Sequence, residues 1–136
     1  MIGGASRIAT GILLGLVLWA PGAMAQQGHP MEGTWQGLWG ETGGQRNFLT
    51  LILRWNGRRI VGTVNPGPNE GVVREVELDT STWTVRFDLD VPDRLSGETV
   101  RIRAQGRLYD IGSPHRTVRG ALEGDEPDSY FRISRQ

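Results

Sequence analysis

The chain has 136 residues, fifteen basic and fifteen acidic side chains, a formal net charge of +0 and no cysteine. The lack of cysteine excludes disulfides, thiol nucleophiles, thiolate metal sites and a lipid-modified cysteine. Every basic residue is an arginine, interspersed with Asp and Glu, so no nucleic-acid footprint stands out.

In chain order, the first element reads as a secretion signal. Arg7 supplies the positive n-region, and Ile8 to Ala20 is an apolar run shorter than the ~20 residues needed to span a bilayer. Pro21-Gly22 breaks the helix, and Ala23-Met24-Ala25 has the small-x-small pattern that a signal peptidase cuts. The expectation is a signal-peptide helix over 1–25 cleaved after Ala25, with no stable membrane insertion afterwards. A small extracellular eukaryotic domain would usually carry disulfides. Their absence, with no Asn-x-Ser/Thr acceptor, points to a bacterial periplasm or exterior. Gln26 to Glu32 reads as a flexible polar lead-in, and 33–136 as one domain, long enough for a single core.

Beyond the lead-in, period-two alternation bounded by Gly, Pro, Asn and Asp replaces any helical period. The predicted strands run Thr34–Trp39, Phe48–Trp55, Ile60–Val64, Val72–Leu78, Trp83–Leu89, Val100–Leu108, Thr117–Leu122 and Ser129–Ser134. Gly40 to Gln45 joins the first two. Asn56-Gly57 predicts a tight hairpin, since both residues tolerate positive φ. Asn65-Pro66-Gly67-Pro68-Asn69 must be a loop, because two prolines remove ladder donors. Asp79-Thr80-Ser81 predicts a turn and Pro92 to Gly97 another loop. Eight sequential strands form a sandwich or an antiparallel up-and-down β-barrel, and closure removes exposed edges, which favours the barrel. In a soluble barrel the apolar face points inward. An outer-membrane barrel would reverse that and needs longer strands and aromatic girdles.

Gly33-Thr34-Trp35 and Gly62-Thr63-Val64 resemble the calycin pattern of lipocalins, fatty-acid-binding proteins and avidins. There the Gly-x-Trp indole lies across the closed end of the barrel. Ser129 to Arg135, the Pro-rich loop and Ser81 to Val85 are similar to segments of small secreted bacterial lipocalin-like proteins of unassigned function. The avidin ligand residues are not matched: Val64 and Pro66 stand where a Tyr and a Ser would, so biotin binding is not implied. The chain also lacks the length and helix of lipocalins proper.

The chemistry-bearing residues are sparse. His115, with Asp110 nearby, could shuttle a proton, but a turn histidine without shown partners makes no catalytic site. No metal or cofactor is implied. Asp88 with Asp90, and Glu75 with Glu77, read as cross-strand ion-pair partners of Arg86, Arg101 and Arg103. The leading reading is a carrier of a small hydrophobic ligand. Its interior wall would be Trp35, Leu51, Leu53, Trp55, Trp83, Val85, Phe87 and Ile102, and Asn65, Pro66, Gly67, Pro68 and Asn69 would form a stiff lip at its mouth. The alternatives are a filled structural or protein-interaction barrel, and a small cyclase- or isomerase-type enzyme. Oligomeric state is left open.

Overall fold

The computed structural model describes residues 28–136 apart from 42, 94 and 124–128. The expected signal helix over 1–25 lies outside the described residues. Alternating sequences pair here into eight strands: β1 Gly33–Glu41, β2 Arg46–Trp55, β3 Ile60–Val64, β4 Gly71–Asp79, β5 Thr84–Pro92, β6 Thr99–Tyr109, β7 Thr117–Glu123 and β8 Ser129–Arg135. Each is antiparallel to the next, and β1 returns to pair with β8, so the barrel is closed. Closure leaves no strand edge to template aggregation.

The period of two puts one side of each strand inside. Trp35, Leu51, Leu53, Val64, Val85, Phe87, Leu108, Val118 and Ile133 belong to one buried cluster. Each such side chain contributes about 1.5–3 kcal/mol relative to exposure. Phe87 and Phe131 meet edge to face across it, with ring centroids 5.7 Å apart. Tight closure also demands missing side chains. A Cβ at inward-facing Gly62 would stand 1.8 Å from the Ile52 carbonyl oxygen of the adjoining strand. The Gly-Thr pair in β3 is therefore a close-approach point between backbones.

Three local expectations need correction. Register shifts between Val73 and Glu75, so Arg74 is an extra residue and the inward set steps from Val73 to Val76. A bulge of this kind bends the strand and changes its parity. Trp83 does not head β5. It sits one residue before the strand with φ 58, ending the turn, and its carbonyl accepts the Leu108 N–H at 2.8 Å. In the β2–β3 connection only Gly57 takes the left-handed conformation, with φ 100. Asn56 instead accepts the Arg58 and Arg59 N–H groups on its Oδ1, both at 2.9 Å, in a four-residue loop.

The described part of the lead-in is also not loose. Met31 is fully buried in the core. The Trp35 indole N–H donates to the Met31 carbonyl at 2.9 Å. Arg116 donates to the Pro30 carbonyl at 3.0 Å, and Arg135 to the Glu32 carbonyl at 2.9 Å. Polar composition suggested flexibility, but one methionine and two arginine clamps hold this segment across the barrel end.

Candidate functional site

The two barrel ends are unlike. At the end where β1 begins, the 28–32 segment seals the opening. Met31, Trp35, Val73, Val85, Val118 and Ile133 retain no accessible surface, so no water-sized void borders them. At the opposite end Trp39, Leu49, Val91, Ile102 and Leu122 are only partly buried and form a shallow apolar cup on the core.

The proposed wall residues divide accordingly. Trp35, Leu51, Leu53, Val85 and Phe87 are buried against one another and fill the centre. Trp83 and Ile102 are half-buried on its margins. Trp55 has the inward parity of Leu51 and Leu53, yet it is 47% exposed because β2 runs past the sealed end. The Pro-rich loop lies at the other end, the one with the apolar cup. Asn65 begins it with φ 47, its N–H donating to the Thr50 carbonyl at 2.8 Å and its Oδ1 accepting the Thr50 N–H at 2.9 Å. That side chain continues the β2–β3 ladder while the backbone turns away. Pro66, Gly67, Pro68 and Asn69 are then exposed at the rim.

Trp55 faces a depression of about 690 Å³ outside the sealed end, between the β2–β3 loop and β4. It exists because β3 starts at Ile60 opposite Val76, so Glu77, Leu78 and Asp79 of β4 extend beyond it. Ile60, Val76 and Leu78 form an apolar floor. Arg58, Arg59 and Arg86 are balanced by Glu75, Glu77 and Asp79 around it. Ser81 holds the Asp79 carboxyl below its ordinary range by side-chain and backbone hydrogen bonds, so this acid stays ionised.

His29 completes the groove. Its ring lies 6.0 Å from Trp55, centroid to centroid, and 8° from parallel. Nδ1 accepts the Met31 N–H at 3.1 Å, which leaves the proton on Nε2 of a neutral imidazole. Burial lowers the His29 pKa, while the charge of Glu32 works against that shift. Sequence reasoning named Trp55 but missed His29, Arg58, Arg59 and the Met31 plug. The available signal was the isolated methionine four residues before Trp35, too short a cue for a periodicity argument.

His115 and Asp110 do not make a proton relay. The His115 Nδ1 meets the Arg135 carbonyl at 3.1 Å, and Asp110 is a left-handed turn residue with φ 57. Among the described residues no three His, Asp or Glu side chains gather as a metal site. Of the expected ion pairs, the one between Asp88 and Arg101 forms; Asp90 pairs instead with Arg74 at 3.1 Å, and among the described residues no ion pair joins Glu75 or Glu77 to Arg86 or Arg103.

No protein-family model matches the chain, and no curated protein is similar to it. Among solved structures it is similar to a redesigned β-barrel, with a TM-score of 0.52 and 17% identity, over 79% of this chain and 92% of that one. At that identity the likeness concerns the fold alone.

Proposed function

We propose that this is an exported, calycin-like binding barrel whose ligand site is the groove beside Trp55, outside the sealed end. Three lines support it. The first 25 residues have the pattern of a cleavable signal. Trp35 lies across the sealed end, as the Gly-x-Trp resemblance implies. The barrel centre is occupied by its own side chains, so a guest there would have to displace Trp35, Leu51 or Phe87.

The observation that carries the reading is a half-exposed tryptophan on a depression of about 690 Å³ with an apolar floor and a charge-balanced rim. A rigid aromatic face with convergent polar groups is the ordinary make-up of a small-molecule site. Three arginines against three acids favour a neutral or zwitterionic ligand with one apolar face. A bulky acid or a long alkyl chain would leave half the rim unpaired.

Native mass spectrometry of the protein purified from its own host tests this. The wild type should retain a small molecule that Trp55→Ala loses and Trp39→Ala keeps. Retention by Trp55→Ala, or loss from Trp39→Ala, would move the site to the open end. A wild type that carries nothing, and whose Tm no small-molecule mixture shifts, would remove the ligand altogether. The mature N-terminus read from the same sample should be Gln26, and an intact Met1 would end the export reading.

A further inference from the structure

A second feature lies on the outer face and begins at the margin of the Trp55 groove, where Arg107 pairs with Thr84. The pairing of β6 with β7 sets Arg107 directly opposite Arg119, and that of β7 with β8 sets Arg119 directly opposite Arg132. All three are exposed. Directly opposed like charges destabilise a sheet. The row ends without relief, at Thr84 of β5 on one side and Leu38 of β1 on the other.

The other arginines of β6 are placed differently. Arg103 stands between Asp88 and Glu123, and Arg101 forms a two-bond ion pair with Asp88. Among the described residues no ion pair forms to Arg107, Arg119 or Arg132. Arg46 joins Arg119 and Arg132 around a shallow depression of about 500 Å³, and among the described residues its lining carries no acid. Tyr130, 50% exposed, stands between them. Repulsion built into a folded surface is the mark of a surface that awaits a counter-charge.

We infer that this arginine row is a docking strip for a linear polyanion, specifically an acidic polysaccharide carrying carboxylates. Guanidinium groups pair carboxylates through two parallel hydrogen bonds, which ammonium groups do not match. The shape of the row selects among anions. It crosses three neighbouring strands of a closed eight-stranded barrel, so each arginine points in a different radial direction. A flexible chain can follow that curve with anions at roughly the 4.7–4.9 Å strand spacing. A flat anionic membrane can meet only part of it. The Arg119 guanidinium covers the ring of Tyr109 at 5.1 Å while Tyr130 stays half-exposed. Single-stranded nucleic acid, which binds through open aromatic faces, is therefore the competitor that oligothymidylate binding separates. The choice of a polysaccharide rests on the export reading; the anion site rests on the register alone.

The test is binding to polygalacturonate, followed by calorimetry across a salt series, for wild type, Arg119→Gln, Arg132→Gln, their double variant and Arg101→Gln. Each of the first two should weaken binding about tenfold, and the double variant should flatten the slope of log K against log salt by about 2. Arg101→Gln should change little, because its charge is already matched. Melting curves should show the Arg119 and Arg132 variants no less stable than wild type, which separates lost binding from lost folding. Equal loss on Arg101→Gln would overturn the assignment, as would no binding of wild type at low salt. Tighter capture by phosphatidylglycerol vesicles or by oligothymidylate than by polygalacturonate would overturn it in favour of those partners. Trp55→Ala should bind polygalacturonate normally, so failure of the groove reading leaves this result standing.

Discussion

Trp35 and Trp39 lie four residues apart on the inner side of one strand, yet only one of them belongs to the core. Trp35 has no accessible surface and gives its indole N–H to the Met31 carbonyl. Trp39, opposite Asn47 and Phe131, is only partly buried. The strand supplies both with the same parity and the same neighbours in kind. The difference comes from outside the ring of strands: a short segment before β1 folds over one end and converts a barrel mouth into interior. An eight-stranded barrel offers two equivalent openings, and here a few residues decide which one is solid.

The largest effect should therefore separate the two tryptophans. Trp35→Ala should cost about 3–5 kcal/mol, the range for deleting a large core aromatic. Trp39→Ala should cost less, about 1–3 kcal/mol, since part of its surface already meets water. Urea denaturation of both variants measures this. Equal losses would mean that the 28–32 segment seals nothing.

The same contrast marks what could be read from the sequence. Strand existence was legible because alternation is local: Val85, Phe87 and Leu89 declare an inward face without reference to any partner, and the prolines of 65–69 exclude a strand outright. The closed eight-stranded barrel followed from counting such segments. The inner set of β4 was not legible, because the extra residue at Arg74 depends on how β4 meets β5. Trp83 was misplaced for a related reason, as its inward parity suits a strand but its left-handed backbone does not. Trp55 was identified as a ligand contact by parity, and parity cannot reveal that β2 outruns the barrel end. Which arginines of β6 face an acid and which face another arginine is fixed by register across three strands, beyond any single-strand pattern.

A smaller effect should come from the clamps that hold the plug. Arg116 bonds the carbonyls of Pro30 at 3.0 Å and Ile111 at 3.1 Å, both partly buried. Arg116→Met keeps most of the packing volume and removes both bonds, at a cost of about 1–2 kcal/mol. The loss should be local before it is global. Amide exchange should quicken at Met31 and Trp35 while Leu122 and Ile102, at the open end, keep wild-type rates. Uniform acceleration at both ends would mean that the clamp supports the whole barrel and the ends are not independent.

The smallest effect is a pH dependence confined to the sealed end. Burial lowers the His29 pKa below its ordinary 6.5, against a weaker opposing pull from Glu32. A protonated ring also cannot accept the Met31 N–H that its Nδ1 now takes at 3.1 Å. The unfolded chain therefore takes up this proton more readily than the folded one. The contribution of His29 to stability is present above pH 6.5 and is lost as pH falls through the lower folded value. Asp79 and Asp88, both held below their ordinary carboxylate range, lose their contributions only in more acidic solution. Melting curves between about pH 7.5 and pH 5 should thus show a gentle fall in Tm for the wild type. His29→Asn retains a side-chain oxygen to accept the Met31 N–H but cannot titrate, so its Tm should be flatter over the same range. Parallel curves for the two proteins would show that the sealed end does not respond to this proton, and the histidine would then matter only for the groove it shares with Trp55.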